Sequence, residues 1–521
     1  MYAGWVTRTE TAARTPSRLT HSSEAIAHTV SGATWRAAFR IGSADATIAP
    51  AIRVGLATAV VLVVGGLLGQ RELAGFAALG ALCAAFGRYE PYPRLAGKLA
   101  MVGAALVVSI AFGGAMGVAG VPMWLQIGIL SLLAGASYCF MSGFRITGPG
   151  PVILVFAATG AAGYASSVDD LARLVTAGAL GVLVGWAAAM LPALVLPMGP
   201  ARLAVARAVS AVGRLEQSGA GGVEPALGSI ANARLVIASS GRIKSTVDHG
   251  RELVAVLDEA EAAVQEWQLH GDATLIRSIA RHEKELRKLK RSSMIEHDLA
   301  PAKNLAAPEG YFLEGLNRLY SRPVRMNALR IVAASALAGW LAAGAGLEHP
   351  LWASMGAIAA MQGLNYKQTV QRGIQRLVGN VGGAVVAAAL IALTLGYWQA
   401  VAVVVILQTA AELLVIKNYA LTSLAVTPMA LLLIGFSAPI GTEAAVARRG
   451  HSHRRGDRCC RRRCDDQSIG SPPRHRVTGT AVFPVLLCFR YCVGSCRWRT
   501  ARRSTAGNCV TSIAVPNCSS R

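Results

Sequence analysis

Glu412 lies in YWQAVAVVVILQTAAELL (397–414), an otherwise apolar run. With a helix beginning near Tyr397, it falls about 22 Å along a hydrocarbon core of ~30 Å. An ionisable group at that depth is either functional or paired. Two readings stay open: a proton-accepting carboxylate able to couple solute movement to protons, or a structural partner for Lys417 or an inner arginine. Gln362, Asn380 and Gln408 either line a polar path or hydrogen-bond helix to helix. Arg372, Arg376 and Lys417 form a basic mouth suited to gathering anionic solutes, although membrane topology alone would also place them there. His349, beside Glu348, is either a proton-responsive group or a helix cap.

Other chemistry has no residues to stand on. No GxxxxGK[ST] loop exists to cradle a nucleotide phosphate, so this chain is not expected to hydrolyse ATP. No Ser/His/Asp cluster, His-rich helix or paired carboxylates suggest catalysis, and neither a metal nor a cofactor is expected. Of ten cysteines, only Cys83 and Cys139 lie before residue 459, which leaves no disulfide framework in the body.

The elements that must position these groups are membrane helices. The 521 residues are 53% hydrophobic and 15% charged, the balance of a multi-span membrane protein. A net charge of +23 would suggest nucleic acid, but residues 449–521 hold fifteen arginines against three acids. The remaining excess sits at the ends of apolar segments, so nucleic acid is excluded as the reading of the charge. Residues 1–50 show no early apolar core of a cleavable signal peptide.

Two stretches share one plan. Phe76 and Trp352, Gly80 and Gly356, Gly87 and Gly363, Gly97 and Gly373, and Gly103 and Gly379 are all 276 residues apart. Ala51-Ile-Arg-Val matches Ala328-Leu-Arg-Ile one residue further out. This predicts an all-α polytopic protein with two repeated bundles flanking a cytoplasmic helical domain. The expected layout is a cytoplasmic amino-terminal segment (1–50), a first transmembrane unit (51–198), a helical domain (199–325), a second transmembrane unit (326–448) and a tail (449–521). Crossings are expected near 51–69, 73–87, 96–112, 124–141, 151–165 and 171–191. In the second unit they fall near 328–345, 350–364, 377–395, 398–415 and 419–436. Arg88, Arg94 and Lys98 in an 88–98 loop, Arg145 in the next, and Lys367, Arg372, Arg376 and Lys417 in the second copy put the amino terminus inside. Before the first crossing, TWRAAFRI (34–41) reads as an amphipathic turn at the membrane surface or a plain lead-in. In the middle domain, residues 251–270 and 273–291 read as amphipathic helices, with Glu283 and Arg287 paired at i,i+4. The basic run from Arg287 to Arg291 is a solvated face or a contact for anionic lipid headgroups.

The second unit has five expected crossings against six in the first. Ala447-Arg448 stands where Ala172-Arg173 opens the sixth, yet RGHSHRRGDRCCRRRCDDQ follows. Cysteine codons shifted by one base become valine or alanine codons. Arginine codons become codons of the Val/Ala/Gly/Asp/Glu set, and His453 and Asp457 become isoleucine or threonine. The tail therefore reads as an out-of-frame translation concealing an apolar helix.

HPLWASMGAI (349–358), QRGIQRLVGNVGGA (371–384) and AELLVIKNYALTSLAVTPMALLL (411–433) together resemble the fusaric acid resistance/aromatic acid exporter superfamily. Its members share the membrane unit with plant aluminium-activated malate channels. The pattern rests on His349-Pro350, Trp352, Gln375-Arg376, Gly379, Glu412, Asn418-Tyr419 and Thr427-Pro428. The resemblance covers 326–442 well and 51–191 more loosely. It implies a multi-pass inner-membrane exporter of aromatic or other organic acids, proton-driven, whose partners are membrane lipids and a small organic anion. An oligomer or a periplasmic adaptor fits such a scaffold. An anion channel or a non-transporting membrane scaffold are the alternatives.

Overall fold

The computed structural model describes residues 31–40, 48–240, 244–287, 311–363 and 366–437. The amino-terminal 30 residues, the Lys288–Arg291 part of the basic run and the tail from 449 lie outside them. Every regular element among the described residues is helical.

A short helix, α1 (Gly32–Phe39), starts at Ser31, whose hydroxyl accepts from Thr34 N. Six apolar helices follow: α2 (Ile48–Leu67), α3 (Arg71–Ala81), α4 (Tyr92–Val118), α5 (Met123–Gly143), α6 (Val152–Tyr164) and α7 (Val168–Val195). Local chemistry sets their ends. Pro50, Pro93 and Pro151 stand in or beside first turns, where a missing N–H costs nothing. Ser167 and Asp170 close a reciprocal capping box at the start of α7. Gly69 ends α2 in the left-handed region at φ 72°, as Gly346 (φ 72°) does after α14 (Arg322–Gly344). Beyond α14 come α15 (Pro350–Ala360), α16 (Tyr366–Ala392), α17 (Tyr397–Leu414) and α18 (Tyr419–Ser437).

Seven of these helices are long and apolar enough to cross a membrane: α2, α4, α5, α7, α14, residues 368–392 of α16, and α17. Val152–Tyr164, Pro350–Ala360 and Tyr419–Leu433 are apolar but shorter. At 1.5 Å per residue the 11-residue α3 and α15 extend about 16 Å. Each alone is too short to span a ~30 Å core. The expected span at 73–87 is α3 continued by a 3-10 helix over Leu82–Ala85, and the one at 350–364 is helical over Pro350–Ala360. The 88–98 stretch is not a loop throughout, since Arg94 and Lys98 lie within α4.

The helix pairings come in matched sets. Within the first set α4 packs on α6, and within the second α16 packs on α18. Between the sets, α5 packs on α14 while α17 packs on α2, and α6 meets α15 while α18 meets α3. Each set thus lends its fourth helix to the other's first, and its fifth to the other's second. Small residues allow the closest approaches. A Cβ on Gly181 of α7 would collide with the Ala77 carbonyl of α3, and one on Gly113 of α4 with that of Ala158.

A second core lies in α8 (Gly199–Gly213), α9 (Val223–Ser240), α10 (Lys244–His270), α11 (Thr274–Ala280) and α12 (His282–Arg287). Val205, Val209, Leu215, Ile230, Leu257 and Ile276 fill it. The expected amphipathic helix over 273–291 breaks at Arg281 into α11 and α12. The predicted Glu283–Arg287 pair is present at 2.8 Å. A last short helix, α13 (Tyr311–Leu319), leads into α14.

Candidate functional site

The site is built where three chain segments meet at one end of the bundle. α17 carries Glu412, the one acidic residue buried among the described residues, 6% exposed. Its partner is Arg88, from the turn between α3 and α4. Arg88 donates to the Glu412 carboxylate through Nη2 and to its main-chain carbonyl at 3.1 Å through Nη1. Those residues are 324 apart in sequence and belong to different helix sets. Arg53 of α2, 9% exposed, lies beside them and donates from Nη2 to the Phe86 carbonyl at 2.8 Å. Its Nε has no hydrogen-bond partner among the described residues. Tyr92 and Cys83 complete the titratable neighbours of Arg53.

The turn that presents Arg88 is held from several sides. Gly87, left-handed at φ 64°, donates its N–H to the Thr147 carbonyl at 2.8 Å. A side chain at Gly87 would be strained and would meet Leu95. Lys98, 4% exposed, is paired with Glu90 and donates to the Arg145 carbonyl at 3.1 Å. The Lys98–Glu90 pair is neutral, so the charge count falls on the other three groups. Two guanidiniums face one carboxylate, an excess of one positive charge in a low-dielectric place.

The other sequence-predicted residues are scattered around this cluster. Gln408, buried one turn before Glu412 on α17, is its nearest companion in the chain. Gln362 closes α15 against Gly150, with its side-chain nitrogen lacking a partner among the described residues. Asn380 of α16 lies 3.2 Å from the Thr427 hydroxyl of α18, which also donates to the Ser423 carbonyl at 2.8 Å. Each of these three amides has its own local surroundings. Arg376 donates to the Tyr419 hydroxyl at 3.1 Å, and Arg372 sits over the same ring at 5.5 Å. Lys417 is exposed, and the arginine that holds Glu412 is Arg88. His349 is exposed at the N-cap position of α15 and makes no side-chain capping bond.

The remaining family-pattern residues are structural in their contacts. Pro350 is buried in the first turn of α15, and Trp352 meets Phe156 edge-on, 6.2 Å between centroids. Gly379 lets α16 touch the Ala420 carbonyl of α18, and Pro428 interrupts the α18 ladder. Asn418 donates to the carbonyls of Ala38 (2.9 Å) and Arg40 (3.1 Å), while its own oxygen accepts from Ala420 N at 2.8 Å. Gln375 and Gln371 add bonds to Ala38 O and Ala37 O at 2.8 and 3.0 Å. Helix α1 is thereby clamped onto α16 and α18, beside a cleft of about 170 Å³ lined by Phe39, Gly379 and Leu424.

Sequence reasoning missed Arg53 and Arg88 as site residues. Arg53 is part of the Ala51-Ile-Arg-Val match, but its copy Arg330 is exposed and bonded to Asn327 at 3.1 Å. An arginine five residues into an apolar helix was the available signal.

The part of the chain that carries Glu412 can now be placed. Residues 334–451 match the fusaric acid resistance protein-like family. That fusaric acid resistance-like region takes in the second half of α14 and all of α15 to α18. The chain is also similar to an uncharacterized membrane protein, YvaC, of Bacillus subtilis (strain 168). The two are 23% identical over 434 residues, covering 74% of this chain and 67% of YvaC. No solved structure matches. The chain is a multi-pass membrane protein, and among the described residues no cluster of His, Cys, Asp or Glu could hold a metal ion.

Proposed function

We propose that this protein exports aromatic or other organic acids across the inner membrane, driven by protons, with Glu412 as the group that takes the proton. The observation that carries the reading is the cross-set ion pair. Glu412 is buried, and the arginine it holds comes from the other helix set, so a proton on Glu412 discharges a bridge between the two sets. A bridge of that kind is a gate whose strength depends on charge. The excess guanidinium charge at Arg53 and Arg88 gives an organic anion something to neutralise. Arg372, Arg376 and Lys417, at the same ends of α16 and α17, supply a basic approach. Gln362, Asn380, Gln408 and His349 then contribute as local contacts rather than as one continuous path.

The same reading places α2 to α7 and α14 to α18 as two copies of one unit, supported by the exchanged helix pairings and the matched glycines. It places the amino terminus and the α8–α12 core in the cytoplasm, supported by the basic ends of the apolar helices.

Glu412→Gln keeps the shape and removes the titration. In inverted vesicles carrying the full chain, it is expected to abolish proton-dependent uptake of an aromatic acid such as benzoate, with membrane insertion unchanged. Undiminished uptake would remove Glu412 from the mechanism. The unpartnered Nε of Arg53 favours an anion channel as the second reading. Flux that follows voltage with no dependence on a proton gradient would select it. A strain lacking the gene that keeps its acid tolerance but mislocalises a partner would instead favour a scaffold role.

A further inference from the structure

The α8–α12 block has one helix on which the others rest. Each of α9, α10, α11 and α12 packs on α8, whose Val205, Val209 and Val212 run into the shared core. That same helix also reaches the membrane bundle. Arg207 of α8 places its guanidinium carbon 3.9 Å from the centre of the Tyr89 ring. At the start of α8, a Cβ added to Gly199 would come 3.8 Å from the Tyr92 hydroxyl. A few residues of α9 touch α4 as well.

Both tyrosines belong to the surroundings of Glu412. Tyr89 follows Arg88 in the same turn, and Tyr92 opens α4 as a neighbour of Arg53. The bundle itself holds that turn on two sides, through Gly87 on the Thr147 carbonyl and through the Lys98–Glu90 pair. Arg207 adds a third hold, and this one comes from the block. Tyr89 and Arg207 are both half-buried. A guanidinium over an aromatic face shifts an equilibrium by about two- to thirtyfold, more as water is excluded. Such a contact biases where a short turn sits without locking it.

We propose that Arg207 is a positioning residue for the Arg88–Glu412 pair, and that the α8–α12 block regulates the gate by holding or releasing Tyr89. The proposal rests on the reading of that pair as a charge-dependent bridge. With Tyr89 held, Arg88 stays within reach of both the carboxylate and the main-chain carbonyl of Glu412. With Tyr89 released, the turn carries Arg88 away and the bridge weakens without a proton. A movement of the block, wherever it begins, is delivered through α8, because the other helices rest on it.

The first test reads Arg88 directly and needs no transport. Membrane vesicles holding the full chain are treated with phenylglyoxal, which crosses bilayers and modifies guanidiniums, and the rate at Arg88 is followed by mass spectrometry. Arg234, ion-paired to Asp258 and Glu261 between α9 and α10, reports on the integrity of the block. Tyr89→Leu and Arg207→Ala are each expected to raise the Arg88 rate about threefold or more, with the Arg234 rate unchanged. Tyr89→Phe keeps the ring and should match the native chain, and the double variant should be no faster than either single one. An Arg88 rate unmoved by Tyr89→Leu overturns the proposal, as does a Tyr89→Phe rate equal to that of Tyr89→Leu. If Arg207→Ala also speeds Arg234, Tyr89→Leu decides alone, since it leaves α8 intact.

The second readout is the ratio of proton-driven to undriven benzoate uptake in inverted vesicles, which a loss of folded protein does not move. Tyr89→Leu should lower that ratio about twofold or more, and Tyr89→Phe should restore it. A faster Arg88 with an unmoved ratio would uphold Arg207 as a positioning residue and overturn the gate reading on which its regulatory role rests.

Discussion

Two interfaces join the helix sets, and they are built alike except for the chemistry at one end. At the first, α2 meets α17: Tyr397 donates to the Leu62 carbonyl at 2.6 Å, and Gly55 leaves room for Thr409. At the second, α14 meets α5: Trp340 donates to the Trp124 carbonyl at 3.0 Å, and Gly135 leaves room for Val332. Beyond these ties they part. The first carries Arg53, Arg88 and Glu412 at its far end. Among the described residues the second carries serine hydroxyls in place of buried charge, with Ser131 and Ser335 3.0 Å apart and Ser354 donating to the Ser335 carbonyl at 3.0 Å. A serine ladder is satisfied whatever the pH, whereas a carboxylate held by an arginine is satisfied only while it is charged. The scaffold is shared; the capacity to respond to a proton is not.

The comparison can be broken most forcefully at Glu412. Truncation to alanine leaves the buried Arg53 and the half-buried Arg88 without a counter-charge, so a loss of about 3–5 kcal/mol is expected in reversible unfolding from mixed micelles. Replacing Arg88 and Glu412 together by methionine should recover most of that loss and still abolish proton dependence. If the double variant were as unstable as the single one, the pair would not be what joins the sets. At the neutral interface the effect should be far smaller. Ser131→Ala is expected to cost about 0.6 kcal/mol and to leave the pH profile of transport unmoved. A changed profile would mean that the two interfaces share the mechanism.

The smallest effect lies in the separate helical block and serves as a control. The Thr274 hydroxyl and backbone N–H both donate to Asp272, holding its carboxyl below the usual aspartate range. A depressed value means that the stabilisation is present above that range and fades as the pH falls through it. Amide protection across α11, taken relative to the intrinsic exchange rate at each pH, should therefore fall at acid pH in the native chain, with a flatter dependence in Asp272→Asn.

Much of this was legible beforehand. Apolar runs placed the helices, and a carboxylate in one of them marked Glu412. Its partner was not legible, because Arg88 is 324 residues away and looks, in sequence, like one more charge fixing orientation. Arg53 was hidden by its own repeat, since a residue matched by the exposed Arg330 reads as pattern rather than as site. Gln375 and Asn418 belonged to the family pattern, yet nothing local says that their amides reach back to carbonyls near residue 38. Non-local pairing of this kind depends on how helices cross, which hydropathy alone does not encode.

The clamp on α1 has a practical side. Gln371, Gln375 and Asn418 are donors whose acceptors are the last carbonyls of that eight-residue helix. A clone begun at Ile48, where the first long apolar helix starts, would strip those acceptors away together with Phe39, and so unroof the cleft that Phe39 lines. Anyone preparing this protein for reconstitution should keep everything from Ser31 onward and place an affinity tag ahead of it.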